Sequence, residues 1–194
     1  MAAISTNREA ADVLFNVATI LELSQDNPYR IRAYRRAARL LLRSPEDARV
    51  KLTDKHELDL PALGIRLRRK LGELLSTGRM GFYVELCAVM PDEVQRLMQI
   101  PTVGPKTALR LHEELGVSTP AGVVEAARAN KIRALYGFGE KREEQILLGA
   151  LDVLAGRPKI YAPVPPPEDD ELPEPTSLAA RRAGLEQLAL PEAA

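Results

Sequence analysis

Three short segments place glycine and a basic residue at the start of a helix, a combination suited to binding phosphate. They are residues 60–66, 100–106 and 135–141, with the sequences LPALGIR, IPTVGPK and LYGFGEK, called hairpins one, two and three. A turn that opens directly into a helix leaves backbone N–H groups without an intrahelical partner at the positive end of the helix dipole. Glycine lets a phosphate oxygen approach these amides, and the basic residue two positions later adds charge. Three copies predict a protein that binds nucleic-acid backbone.

Basic side chains on a helix before hairpin one extend the predicted contact surface. Arginines recur there at spacings of three, four and seven on one face, while the opposite face is apolar. Tyr34 lies on the apolar face and is predicted to be core, whereas Tyr29 is placed to stack on a base. The alternative for each hairpin is that it only packs a pair of helices together. The predicted DNA-binding residues are Leu63, Gly64, Arg66, Thr102, Val103, Gly104, Lys106, Thr107, Gly137, Phe138, Gly139, Lys141, Arg32, Arg35, Arg36 and Arg39.

Charge is divided unevenly along the chain, which strengthens the prediction of a nucleic-acid partner. The whole chain is neutral, with 27 basic and 27 acidic residues. Residues 30–79 hold 14 basic against 6 acidic side chains, whereas residues 161–194 carry a net charge of −5. A basic body with an acidic tail is typical of proteins that associate with nucleic acid, although a merely solvated charged surface gives the same count.

Helical periodicity accounts for almost the whole chain up to residue 155, so the predicted fold class is all-α. Residues 6–9 have the spacing of a capping box, and Asn27 followed by Pro28 is a helix start. Thr77 and Gly78 end the helix after hairpin one. No stretch alternates as a strand does. The predicted organisation is an N-terminal helical module with hairpin one over residues 1–88, a second helical module with hairpins two and three over 89–156, and a tail over 157–194.

The tail differs in composition from the rest of the chain. Seven prolines between residues 158 and 175, mixed with acidic residues, predict an extended linker. Leucines over residues 178–188 allow a short helix with an apolar face, which would dock on a protein partner. The alternative is disorder, because isolated helices of this length are marginal in water.

Few residues are available for metal or thiol chemistry. The single cysteine, Cys87, lies among apolar residues and is predicted to be a small buried hydrophobe. With two histidines, the side chains predict no metal site, and a Na⁺ or K⁺ ion at the hairpin carbonyls is the one cofactor left open. Residues 1–6 lack the basic start of a signal peptide, and no apolar run has membrane-spanning length. We therefore predict a cytoplasmic, nucleoid-associated protein with no membrane partner.

The order of these motifs resembles the N-terminal region of family X DNA polymerases, especially their bacterial branch. Residues 27–38 (NPYRIRAYRRAA) look like the signature of that region, and hairpins one and two resemble its Leu-Pro-Gly-φ-Gly and Gly-φ-Gly-Pro-Lys-Thr-Ala turns. Residues 77–79 and 137–141 match Thr-Gly-Lys/Arg and Gly-Phe-Gly-Glu-Lys. The resemblance covers most of the chain before the tail. It implies tandem helix-hairpin-helix modules, a lyase-domain-like bundle followed by a fingers-like module, and gapped, nicked or end-containing DNA as the partner.

Two departures from the family pattern affect the hairpins. The first glycine of the family turn is replaced by Ala62 in hairpin one and Thr102 in hairpin two. A side chain there either holds a phosphate further from the amides or demands a different backbone. The small residue four positions after the second glycine is kept as Ala108 in hairpin two, but is Arg68 in hairpin one and Glu143 in hairpin three. We therefore expect hairpin one to be the least regular.

The resemblance leaves three functions open. No stretch resembles a palm or nuclease domain, so we expect no nucleotidyl transfer, and a non-catalytic DNA-binding protein of repair or replication is favoured. The alternative is a deoxyribose-phosphate or abasic-site lyase, because Lys70 falls at the position of the family's Schiff-base lysine. A free amine there would need burial or the neighbouring cations Arg66 and Arg69. The third function is a protein-interaction scaffold.

Overall fold

The observed fold is all-α, as predicted. A computed structural model of the chain describes residues 6–159, and within that range there are eight α-helices, a short 3₁₀ helix over Ala48–Lys51 and no strand. Extended backbone pairs there only in an isolated antiparallel bridge between Leu52 and Leu58. The helices are α1 (Asn7–Leu23), α2 (Pro28–Arg43), α3 (Ile65–Thr77), α4 (Gly81–Ala88), α5 (Asp92–Leu97), α6 (Pro105–Leu115), α7 (Pro120–Arg128) and α8 (Glu140–Leu154).

The first two helices begin where their capping signals predict. Thr6 and Glu9 form a capping box at α1: the Glu9 N–H donates to Thr6 Oγ1 at 3.3 Å, and the Thr6 N–H donates to Glu9 Oε2 at 3.1 Å. Asn27 caps α2 ahead of Pro28, because its side chain accepts from the Tyr29 N–H at 2.9 Å. These short-range bonds satisfy first-turn amides that the helices themselves leave unpaired.

The described residues divide between Val89 and Met90 into two compact units. In unit one, which precedes that boundary, α1 packs against α2, α3 and α4 and buries Leu14 completely. Helix α3 lies very close to the loop before hairpin one, since a Cβ atom at Gly72 would sit 1.7 Å from the carbonyl oxygen of His56. That close approach fixes the loop against α3.

In unit two, which follows the boundary, α5 packs on α6 and α7 packs on α8. A Cβ atom at Gly149 of α8 would lie 2.5 Å from the carbonyl oxygen of Pro101 in hairpin two. After α8, the Lys159 N–H donates to the Gln99 carbonyl at 3.0 Å. Both α8 and the segment after it therefore contact the chain around hairpin two. The predicted linker from residue 160 onward, and the leucine-bearing segment beyond it, lie outside the described residues.

Two predictions about individual side chains are confirmed. Tyr34 is only 6% exposed and belongs to the core of unit one. Cys87 in α4 is buried, and burial raises the pKa of its thiol to about 12, so this cysteine is a protonated packing residue. Of the helices within residues 6–159, none combines the length and apolarity needed to cross a membrane.

Candidate nucleic-acid interface

Three helices begin directly after the predicted hairpins, and no side chain caps any of them. The residues before α3, α6 and α8 are Gly64, Gly104 and Gly139, each with an extended backbone. By contrast, side-chain oxygens accept from first-turn N–H groups of α1, α2 and α7. The helices after the hairpins therefore present first-turn amides that no capping side chain engages, which is the arrangement that suits an external anion.

All three hairpins close with the same turn hydrogen bond. In each, a backbone N–H donates to the carbonyl three residues earlier, over 2.9, 3.0 and 3.0 Å from Leu63, Val103 and Phe138. The middle residue has a positive φ of 72° at Thr102 and 78° at Gly137, whereas Ala62 is not among the residues with positive φ. The replaced glycine therefore changes the backbone of hairpin one but not that of hairpin two, and hairpin one is the least regular, as expected.

Two apolar side chains of the hairpins, Leu63 and Val103, are buried, and two of the glycines face open space. Leu63 and Val103 are 6% and 0% exposed, so these two predicted contacts can offer DNA only their backbone. A Cβ atom added at Gly64 or Gly139 would meet nothing within 4 Å, and neither residue has a positive φ. Neither packing nor backbone conformation requires glycine there. The open space is what close approach of a phosphate requires.

Arginines reach between hairpins two and three within unit two. Arg142, in the first turn of α8, donates from Nη2 to the Thr102 carbonyl at 2.7 Å. Arg110 of α6 donates from Nη1 to the Tyr136 carbonyl at 2.9 Å, and its ion pair with Glu114 raises the pKa of the Arg110 guanidinium. The helix that follows each hairpin thus holds the turn of the other. These two arginines were not among the predicted site residues.

A lysine from beyond α8 also contacts hairpin two. The Lys159 ammonium donates to the carbonyl oxygen of Val103, next to the Thr102 carbonyl that Arg142 engages. A Na⁺ or K⁺ ion at these hairpin carbonyls would therefore compete with cationic side chains of the chain itself. Within residues 6–159, no group of three His, Cys, Asp or Glu side chains is placed to hold a metal ion.

Hairpin one of unit one faces the basic helix α2 across a cleft of about 300 Å³. Tyr29, Arg32 and Arg36 line the cleft from α2, and Leu63 and Gly64 line it from the hairpin. The Arg32 guanidinium lies 5.2 Å from the centre of the Tyr29 ring. The uncapped start of α3 and two of the predicted arginines therefore share one cleft.

The other predicted basic residues differ in how much of their charge is available. Arg35 pairs with Glu22 of α1 at 2.6 Å, which offsets part of its charge. Thr107 is half-buried in the first turn of α6. Beyond Arg32 and Arg36 of the cleft, the exposed basic residues of the predicted set are Arg39, Arg66, Lys106 and Lys141.

Lys70 lies against aromatic rings in unit one. Its Nζ donates to the Tyr34 hydroxyl at 3.2 Å and lies 3.5 Å from the centre of the Phe82 ring, which stacks on Tyr34. A ring face attracts the charged ammonium. Arg69, one of the two cations expected beside Lys70, instead pairs with Glu57 at 2.7 Å and lowers the pKa of that carboxyl.

The first turn of α8 carries two carboxylates, whereas those of α3 and α6 carry none. Glu143 is 2% exposed and accepts from the Arg133 N–H at 2.9 Å and from the Arg133 guanidinium, whose pKa this bonding raises. Glu140 pairs with the same guanidinium at 3.1 Å. The ion pair between Arg133 and the buried Glu143 ties the loop before hairpin three to α8. Negative charge at this helix start offsets the helix dipole, which weakens its attraction for phosphate.

Comparison with known proteins agrees with this arrangement of hairpins. Residues 5–80 match the family described as helix-hairpin-helix domain, and residues 94–152 match the family described as SAM-like helix-hairpin-helix tandem. The chain is 30% identical over 135 residues to the DNA polymerase/3'-5' exonuclease PolX of Bacillus subtilis (strain 168), an alignment that covers 70% of this chain and 23% of that relative. The chain thus spans about a quarter of the relative's length. It carries a helix-hairpin-helix domain in each unit and is similar to the helix-hairpin-helix region of family X DNA polymerases, as its motifs predict.

Proposed function

We propose that the chain grips the phosphate backbone of DNA through its hairpins without reading base sequence. The observation that carries this proposal is the open start of three helices at Gly64, Gly104 and Gly139, where α1, α2 and α7 have side-chain caps. Backbone amides at such starts suit phosphate oxygens, and phosphate contacts carry no sequence information. Lys106 and the α2 arginines supply the accompanying charge.

The three hairpins are proposed to contribute unequally. Hairpin two has Lys106 exposed and no acidic residue in the first turn of its helix, whereas hairpin three has Glu140 and Glu143 there. The local field at α6 therefore favours phosphate more than the field at α8. Hairpin one adds the cleft lined by Arg32 and Arg36.

DNA with gaps, nicks or ends is the proposed target. Both activities in the relative's name, polymerase and 3'-5' exonuclease, act where a DNA strand ends. A chain that shares this helix-hairpin-helix region suits a role in DNA repair or replication, and that role places it with DNA in the nucleoid.

The salt dependence of DNA binding tests the proposal. Two to four phosphate contacts imply a log–log slope of roughly −2 to −4 for duplex DNA, because counterions are released on binding. Lys106→Gln should make the slope shallower by about 1. Lys131→Gln removes an equal charge from the same unit outside the hairpins and should leave the slope unchanged. A flat salt response would reject the electrostatic grip.

The hypothesis that Lys70 catalyses a lyase reaction has less support than the hypothesis that the chain binds DNA without catalysis. Schiff-base chemistry needs a free amine, whereas the Lys70 ammonium lies 3.5 Å from the Phe82 ring centre. To attack a sugar carbon, the Lys70 amine would have to leave this ring and the Tyr34 hydroxyl that it also contacts. A scaffold that binds only proteins would show no salt-dependent DNA binding, so the experiment above also separates it from the proposed function.

A further inference from the structure

Tyr136 is the most exposed of the tyrosines within residues 6–159. It is 94% exposed at the turn of hairpin three, whereas Tyr34 and Tyr83 are 6% and 4% exposed in the core of unit one. Tyr29 is 76% exposed, and one face of its ring lies beside the Arg32 guanidinium. The near-complete exposure of Tyr136 leaves both faces of its ring open to a planar partner.

The backbone that carries this ring is fixed. The Tyr136 carbonyl accepts from Arg110 Nη1 at 2.9 Å, and the same guanidinium lies 4.8 Å from the centre of the Phe138 ring. Gly137 between them holds a φ of 78°, and the Phe138 N–H closes the turn onto Leu135. An open ring on an ordered turn loses little further backbone freedom when it meets a ligand, which favours stacking.

The charge around hairpin three disfavours a purely ionic contact. Glu140 and Glu143 lie in the first turn of α8, and the Arg133 guanidinium is already bonded to both. The first turn of α6 in hairpin two has no carboxylate. A DNA contact at hairpin three should therefore draw on a force other than charge.

We propose that Tyr136 stacks its ring on an unpaired nucleobase of DNA, while hairpin two supplies the ionic contact of unit two. This inference rests on the proposed DNA-binding function and adds its first base contact. Stacking on an aromatic side chain tolerates any base, because every base has a π-face. Bases inside a duplex already stack on their neighbours, so the ring selects gaps, frayed ends and single strands.

Two fluorescein-labelled probes test the inference with the full chain. One is a single strand with natural bases, and the other is a strand of equal length made of abasic sugar-phosphate units. The wild-type chain should bind the natural strand more tightly. Tyr136→Ala should weaken binding to that strand roughly 5- to 100-fold, leave binding to the abasic strand unchanged and keep the wild-type salt slope. Tyr136→Phe, which keeps the ring, should bind as the wild type does.

The control separates stacking from charge and from failure of DNA binding itself. Lys106→Gln, in hairpin two, should weaken binding to both strands equally and make the salt slope shallower. Equal binding of the natural strand by wild type and Tyr136→Ala would overturn the stacking role while leaving the proposed function intact. Failure of the wild type to bind either strand, together with failure to bind duplex DNA in the salt titration, would overturn the proposed function.

Discussion

Arg142 and Thr102, which lie 40 residues apart in the sequence, join hairpins two and three through a 2.7 Å hydrogen bond from the guanidinium Nη2 to the threonine carbonyl. The donor follows hairpin three and the acceptor lies in hairpin two. Together with the Arg110 bond to Tyr136, this contact connects the two hairpins of unit two in both directions. The spacing of their helix starts is therefore set before DNA arrives, which reduces the entropic cost of binding.

Arg142→Met should lower both the stability of the chain and its affinity for DNA. We expect a loss of about 0.5–1 kcal/mol in the free energy of unfolding, because one charge-assisted hydrogen bond in a partly solvated setting is removed. Urea denaturation followed by circular dichroism measures the change. Arg128→Met, an exposed arginine of α7, should leave stability unchanged. Wild-type stability in Arg142→Met would show that the turn of hairpin two does not need this contact.

Thr102→Gly should stabilise the chain, and Gly137→Thr should destabilise it. Both residues hold a positive φ, 72° and 78°, a region costly for a β-branched residue and easy for glycine. Glycine loses more backbone entropy on folding than threonine does, which offsets part of the relieved strain. The free energy of unfolding should therefore rise by about 1 kcal/mol for the change at residue 102 and fall by a similar amount for the change at residue 137. Thermal unfolding of both variants measures the pair. Opposite signs to these would mean that the threonine is not strained in its turn.

Three glycines should respond differently to substitution. Gly149→Ala should destabilise the chain by more than about 2 kcal/mol, because its Cβ would lie 2.5 Å from the Pro101 carbonyl oxygen, a backbone atom that cannot move aside cheaply.

Gly139→Val should keep the helical circular-dichroism signal, since a Cβ there meets nothing within 4 Å, yet weaken DNA binding by blocking the anion. Gly104→Val should also weaken binding. Wild-type affinity for DNA in both valine variants would show that hairpins two and three only pack their helices together.

Borohydride reduction with incised abasic DNA should trap no covalent adduct through Lys70. The Lys70 Nζ lies against the Phe82 ring and donates to the Tyr34 hydroxyl, and attack on an abasic sugar would require it to leave both contacts. Electrophoresis of the reduced mixture reports the adduct. A covalent band present in the wild type and absent in Lys70→Ala would establish the lyase reaction instead.

Deletion of residues 161–194 should tighten DNA binding slightly at low salt and change little at high salt. The removed segment carries a net charge of −5 and is tethered after Lys159, which contacts hairpin two. Screening limits its competition with DNA to the order of 1 kcal/mol or less. Affinities of the full and shortened chains at two KCl concentrations measure the effect. Weaker binding after deletion would mean that the segment contacts DNA itself.

Local signals in the sequence were sufficient to predict the α-helices of residues 6–159 other than α4. The Thr6 capping box, the Asn27–Pro28 start and the glycines before α3, α6 and α8 each depend on residues within one turn of each other. Helix α4 was not predicted, because its eight residues show no clear polar face and the side chain that accepts from its first N–H, Glu73, lies eight residues earlier in the sequence.

The contacts that join distant segments could not be predicted in the same way. Arg110 and Arg142 bond to backbone carbonyls, which every residue possesses, so no partner residue type marks the pairing in the sequence. In the sequence, Glu143 stands out only because it replaces the small residue that the family has four positions after the second glycine of the hairpin. Its role became clear once the fold placed Arg133 beside it.

The two bonds of Lys159 give the chain a mechanical connection between its C-terminal side and hairpin two. The backbone of this residue is held by Gln99 and its ammonium by Val103, two positions that flank the start of the hairpin. Any tension applied beyond residue 159 is transmitted first to these bonds and reaches the hairpin before it reaches α8. A partner that pulls on the chain after Lys159 would therefore act on hairpin two before it acts on α8.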